Sequence, residues 1–407
     1  MGAVIIMALG VLIRIIYILN TTVYERGHDV GAYTSLTDGI VNPGHLGYIE
    51  YLVKFNHLPD FDPFSLYSYY HPPLHHFLAS LVVRASLALG ATYDAAFENI
   101  QFLLVFYQLI ILVLAYLIFK RFTSKESHIL APLSIIAFHP GLIYMCGSVN
   151  NDTLSLLFEV LVIYFALRWM ENYNVRYLLL TGLSIGLGMC TKISVGIMAL
   201  PVGLIMLGYL VKMLKEKRLL RCIREYILFA IVTLPVGLFF TVRNYILFNT
   251  KPGIASATPE DIKYMGQYSV IERLGIPKSL GLSYPFHNIY GSESSNVWLI
   301  LFRTSVFGEM RPDVEGLSLI GCRIAFITSV ILGIGLTLLA LIMFIRLIFI
   351  KDRRAEGIFL LSGLLTVLLS YILFVLKYPY TCSCDFRYVA LSLLYSGIGL
   401  SMAFKHE

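Results

Sequence analysis

Charge is what this sequence is short of. Only 14% of its 407 residues are Asp, Glu, Lys or Arg, where a soluble domain carries roughly a quarter. Apolar residues make up 57% and the mean hydropathy is +0.76, which excludes an ordinary soluble protein. The short alternating segments of a membrane β-barrel are missing. So is any Gly-rich phosphate loop, which argues against a cytoplasmic nucleotide-linked substrate. The six cysteines are scattered, and Cys382-Ser383-Cys384 is too tight for a zinc hairpin. No internal repeat stands out, which weakens an inverted-repeat transporter.

What is present is a series of long apolar runs, each near the roughly 20 residues a helix needs to cross a bilayer. The class is therefore an all-α polytopic membrane protein. Spans are expected at about 3–19, 99–119, 129–147, 153–170, 177–191, 194–211, 226–246, 319–350, 357–376 and 388–404. The first is read as a retained span, since it carries no strong cleavage site. The net charge of +6 sits at span ends and does not suggest nucleic acid. If 74–89 lies on the surface, the basic clusters fall on one side: Lys120, Arg121 and Lys125; Arg168 and Arg176; Lys212 to Arg224; and Lys351, Arg353, Arg354 and Lys405. The positive-inside rule then predicts ten spans with both termini in the cytoplasm.

Three regions follow: a membrane module over 1–246 that includes a long outer loop at 20–98, an outer segment over 247–317 suited to a lid or acceptor platform, and closing spans over 318–407. The long loop is expected to hold two helices at the membrane surface. In one, Tyr48, Leu52 and Phe55 share a face. The other carries the stripe Leu74, Phe77, Leu78, Leu81, Val82 and Ala85, interrupted by His75, His76, Ser80 and Arg84.

Candidate chemistry gathers on the outer face. Asp29, beside His28 and just past the first span, suits a general base at the membrane surface; it equally suits a helix cap. In His71-Pro72-Pro73-Leu74 the double proline fixes an extended turn, starts a helix at Leu74 and holds His71 rigidly. Tyr69 and Tyr70 fit sugar stacking or an interfacial aromatic belt. The outer cations Arg26, Lys192, Arg243, Arg303, Arg311, Lys377 and Arg387 could neutralise a lipid phosphate or simply snorkel to headgroups. Lys192 stands out, because a charge between two apolar segments needs a partner. Asp152 is either the cap of its span or a second acid of the site. His28, Asp29, Asp62 and His71 could in principle gather a metal, but they come from distant parts of a loop, which makes the signal weak and leaves a metal requirement open.

With these residues in place, the chain resembles the GT-C superfamily of polyprenyl-phosphate-dependent glycosyltransferases, and within it the protein O-mannosyltransferases and lipid A aminoarabinose transferases. An acid just after the first span corresponds to Asp29, and a His-Pro-Pro-Leu element to His71-Pro72-Pro73-Leu74. Gly182 to Pro201, Arg243-Asn244-Tyr245 and Phe386-Arg387-Tyr388 resemble further family segments. The resemblance implies an inverting transfer from a polyprenyl-phosphate sugar on the extracytoplasmic face. Asp29 would be the base, and Lys192, Arg243 and Arg387 the donor-phosphate contacts, with His28, Tyr70, His71 and Asp152 around the substrates. The chain departs from the family in having His28-Asp29 for Asp-Glu and Val389-Ala390-Leu391 for a proline-rich run. No counterpart of the mannosyltransferases' large C-terminal domain is expected, so the acceptor stays open among envelope polymer, lipid and protein. The competing reading is a lipid or solute transporter using the same groove without chemistry.

Overall fold

The computed structural model describes residues 1–24, 41–251, 264–277, 280–286, 295–309 and 314–403. These form α1 (Gly2–Leu19), α2 (Gly44–Phe55), α3 (Leu74–Ala88), α4 (Tyr93–Glu98), α5 (Ile100–Phe122), α6 (Glu126–Phe138), α7 (Pro140–Tyr144) and α8 (Asp152–Asn172). After them come α9 (Val175–Met189), α10 (Ala199–Lys215), α11 (Leu219–Phe248), α12 (Val270–Leu274), α13 (Val297–Phe307), α14 (Gly316–Phe349), α15 (Arg354–Lys377) and α16 (Ser392–Ala403). No strand occurs among the described residues beyond one isolated bridge, Tyr264 to Tyr380. The expected all-helical membrane class holds.

Eight helical stretches among the described residues are long and apolar enough to cross a membrane, against ten expected. The two that differ have identifiable breaks. The expected span over 129–147 is cut at His139-Pro140, because Pro140 has no N–H to continue the 13-residue α6. The span expected over 177–191 is the 15-residue α9, which covers only about 22 Å at 1.5 Å per residue, short of a hydrocarbon core about 30 Å thick.

The α6 break has a partner in α1. Arg14, fully buried, donates to the carbonyls of Ala137 (2.5 Å), Ile136 (3.2 Å) and Gly10 (2.9 Å). The first two are carbonyls at the end of α6, where Pro140 interrupts the helical ladder. A charge inside a span is tolerated when backbone oxygens meet it.

The bundle packs α5 against α8, α8 against α9, and α9 against α11, while α14 lies beside α15 and α16. The approach of α9 to α11 depends on Gly182 and Gly186, one turn apart. A Cβ on Gly186 would lie 2.9 Å from the Thr233 carbonyl oxygen, and one on Gly182 2.5 Å from Thr233 Oγ1. Small residues at four-residue spacing let helices close up in lipid, where van der Waals packing drives association.

Helix α3 starts at Leu74 as expected, but its faces are the reverse of what a water-facing helix would show. His75, His76, Ala79, Ser80 and Val83 are buried, while Phe77 and Leu81 of the apolar stripe are exposed. The reason is the solvent: against lipid the apolar stripe can face outward, and the imidazoles turn inward to polar neighbours. Burial, and then nearby His45, push His75 down to about 3; burial likewise holds His76 well below the ordinary imidazole value.

The outer segment also holds a helix that its length and polarity did not suggest. Within it α13 is buried at Val297, Ile300, Arg303 and Thr304 and packs on α7 and α14.

Candidate active site

A cavity of about 390 Å³ opens at the end of the bundle where α8 begins. One wall is the α8 face Asp152, Ser155, Leu156 and Glu159, at helical spacing. The facing wall is Val367, Ser370, Tyr371 and Phe374 of α15. At 1.5 Å per residue, Glu159 lies roughly 10 Å below Asp152 along the helix axis. The cavity is therefore charged at its mouth and lined below by mixed side chains, apolar Leu156, Val367 and Phe374 with Ser155, Ser370 and, deepest on α8, Glu159.

Three charges meet at the mouth. Lys192 Nζ is ion-paired with Asp152, and Arg387 Nε lies 3.6 Å from the same carboxylate. Both cations stand over Tyr388, at 4.9 Å for Lys192 and 5.1 Å for Arg387 from the ring centroid. Among the described residues, two cations against this one carboxylate leave one net positive charge, nearly sealed from solvent: the side chains of Asp152 and Arg387 are 7% and 6% exposed. Of the two readings of Asp152, the cap makes no contact among the described residues; the Asn150 side chain accepts from the Asp152 amide instead, at 3.1 Å.

Local structure explains why these groups converge. Lys192 follows the C-terminal end of α9, where the helix dipole favours a cation, and its amide donates to the Gly188 carbonyl at 2.8 Å. The Asn151 side chain donates to the Thr191 carbonyl at 2.8 Å, locking the start of α8 to that turn. Arg387 is presented by a 3-10 turn over Phe386–Val389, whose first amides are capped by Asp385.

The His-Pro-Pro-Leu element joins the same place: the Leu74 amide donates to the Cys190 carbonyl at 3.0 Å, two residues before Lys192. His71 and Tyr70 line the cavity, their rings 4.5 Å apart. His71 stacks on His45 at 5.2 Å, and His45 Nδ1 shares a hydrogen bond with His76 Nε2 at 2.9 Å.

Of the residues expected at the site, Tyr70, His71, Asp152, Lys192 and Arg387 are brought together. Arg243 is not: its guanidinium donates to the Pro59 carbonyl at 2.6 Å and to Asn244 Oδ1 at 2.9 Å, clamping the loop after α2 to the end of α11. Arg303 and Lys377 do not line the cavity either. Asp29 and His28, like Arg26 and Arg311, lie outside the described residues.

Sequence reasoning missed His45, Glu159 and the rim residues Tyr380, Cys382 and Ser383. Glu159 had a signal, an acid seven residues into an apolar span, which by itself marks a functional candidate. His45 had none, because its role depends on a contact between two helices. Among the described residues, no three His, Cys, Asp or Glu side chains gather in a metal-holding arrangement.

Residues 70–242 match the family model described as dolichyl-phosphate-mannose-protein mannosyltransferase. That stretch contains His71, Asp152 and Lys192 and leaves out Asp29, Arg243 and Arg387. No curated protein sequence matches the chain. Among solved structures, the oligosaccharyltransferase of Archaeoglobus fulgidus in its apo form matches at 16% identity and a TM-score of 0.51, covering 99% of this chain and 51% of its own. The same protein tethered to an acceptor peptide containing the NVT sequon matches at 14% identity, again with a TM-score of 0.51, over 99% of this chain and 50% of its own. ArnT from Cupriavidus metallidurans in the apo state covers 98% of this chain and 76% of its own, at 14% identity and a TM-score of 0.42. The chain thus spans about half the length of the oligosaccharyltransferase, and that likeness is one of fold. Residues 70–242 thus resemble the mannosyltransferase family, and the chain shares its fold with the oligosaccharyltransferase.

Proposed function

We propose that this protein is an integral-membrane glycosyltransferase that moves a sugar from a polyprenyl-phosphate donor to an acceptor at the extracytoplasmic face. The observation that carries the reading is the cavity: a net-positive mouth continuing into a groove between α8 and α15 where Leu156, Val367 and Phe374 offer apolar surface beside Glu159. An anion with a hydrocarbon tail has that shape and polarity. The family description over 70–242, naming a dolichyl-phosphate sugar, supports the same donor class.

The charges suit the chemistry. A polyprenyl phosphosugar is a phosphodiester with one negative charge, matched by the single net positive charge of Lys192, Arg387 and Asp152. As the glycosidic C–O bond breaks, the leaving phosphate gains a second negative charge. The cations therefore hold the transition state more strongly than the ground state. Asp29 takes the proton of an acceptor hydroxyl or amine as its oxygen or nitrogen attacks the anomeric carbon from the opposite side, so configuration inverts. Tyr70, His71 and His28 flank the sugar.

Orientation rests on charge. Lys120, Arg121, Arg168 and Arg353 surround one cavity at the far end of the bundle. Arg168 lies 16 positions along α8 from Asp152, about 24 Å at helical rise. The Met1 amino group, 3.1 Å from Glu126, lies beside the loop that follows Lys120 and Arg121. The positive-inside rule puts that end in the cytoplasm and the Asp152 mouth outside.

The test is donor binding and turnover in nanodiscs, wild type beside Asp29→Asn, with a panel of polyprenyl-phosphate sugars. Binding in both with transfer only in wild type is expected. Wild-type turnover in Asp29→Asn removes the base, and absence of polyprenyl-phosphate binding in both removes the donor.

A further inference from the structure

The far end of the bundle holds a second cavity, about 550 Å³, where α5 and α8 end and α15 begins. Its charged wall is a chain of ion pairs. Arg121 bridges Glu171 and Glu356; Arg168 pairs with Glu171 at 2.9 Å, and Arg353 with Glu356 at 2.8 Å. Lys120 adds a fourth cation, its ammonium 6.0 Å from the Tyr116 ring centroid.

Four cations share two carboxylates, so this wall carries two net positive charges. A purely structural network would balance. Snorkelling alone would let these side chains diverge into water, whereas here the guanidiniums are held around one concavity. The remaining wall is apolar: Ile118 and Leu167 are buried, while Leu117 is exposed on the side of α5 that faces lipid. Lys120 is also exposed and Arg168 partly so, leaving both within reach of a ligand.

We propose that this cavity binds a phosphate anion, supplied as the headgroup of an anionic phospholipid. The phosphate sits between Lys120 and Arg168, and an acyl chain runs along Leu117. Basic pockets between spans at the cytoplasmic level bind such headgroups. Because the site lies at the other end of α8 from Asp152, it is separate from the donor cavity.

The test uses the full chain in phosphatidylcholine nanodiscs with and without a minor fraction of phosphatidylglycerol, reading the thermal unfolding midpoint. A ligand that binds the native state raises the midpoint. The expected result is a rise of several degrees with phosphatidylglycerol in wild type, mostly lost in the Lys120→Gln/Arg168→Gln double variant. Equal rises in both overturn the site. A rise from inorganic phosphate in neutral nanodiscs, with no further gain from phosphatidylglycerol, overturns the lipid as its source. Should the double variant not fold, a photoactivatable phosphatidylglycerol on wild type decides the matter. Labelling at the ends of α5 and α8 is expected, and labelling confined elsewhere refutes the proposal.

Discussion

Replacing Lys192 by Met removes one of the two cations at the donor mouth while keeping a side chain of similar length. Asp152 then retains Arg387, 3.6 Å away, so the buried carboxylate is not abandoned and the fold is expected to survive. A phosphate about 4 Å from an ammonium gains about 4 kcal/mol at an effective dielectric of 20. Asp152, already on Lys192, offsets roughly half of that gain. The variant should therefore bind polyprenyl phosphate about 2 kcal/mol more weakly, a ~30-fold rise in Kd. Asp152→Asn makes the opposite prediction. It removes the internal competitor and leaves two net positive charges, so binding should tighten by about 2 kcal/mol, ~30-fold on the same electrostatic scale. The assay is equilibrium binding of polyprenyl phosphate to the nanodisc-embedded protein, with the unfolding midpoint followed in parallel. Unchanged affinity in Lys192→Met refutes the placement of the phosphate. Loss of affinity in Asp152→Asn as large as in Lys192→Met refutes the competition argument, and would mean that Asp152 mainly orients the cations.

Two further outcomes concern stability. His75 and His76 are buried as neutral rings, while in the unfolded chain they titrate near 6.5. The unfolded state therefore binds more protons below pH 6.5, and stability falls by about 1.4 kcal/mol per pH unit for each ring, with no contribution above about pH 7. Unfolding midpoints between pH 7 and 5 check this; a flat profile, or an unaltered slope in His75→Gln, contradicts it. Gly186→Val drives a Cβ against the Thr233 carbonyl and should cost about 1–3 kcal/mol as overpacking. Gly203→Val, where a Cβ meets nothing within 4 Å, is the control, and equal loss in the two would refute the α9–α11 close approach.

Hydropathy made the membrane class readable, because long apolar runs admit few alternatives. It did not reveal where a run is broken by Pro140 or shortened at α9. Periodicity located α3 and its two faces. It could not say which face turns inward, because in a membrane the exposed side meets lipid, and there Phe77 and Leu81 are at home. At the site, Lys192 was flagged as a charge in need of a partner and Asp152 as an acid of two possible uses. Their pairing joins residues 40 positions apart, which neither position shows alone. Arg243 carried the same signal as Arg387, a cation at the outer end of a helix. Only the fold separates them, sending one to Pro59 and the other to Asp152.

The contact between Arg14 and the broken end of α6 bears on how the chain enters the bilayer. Alone, the first span carries a charge that costs about 2.5–3.5 kcal/mol at mid-helix on an insertion scale. Alone, the interrupted run after Glu126 exposes backbone carbonyls that lipid cannot satisfy. Each defect is the remedy for the other, and more than a hundred residues of chain separate them. The first helix is apolar enough to insert despite that charge, but Arg14 finds its permanent partners only once α6 has emerged. During synthesis the guanidinium has to be met by water or headgroups until then, and the carbonyls of Ile136 and Ala137 afterwards replace them.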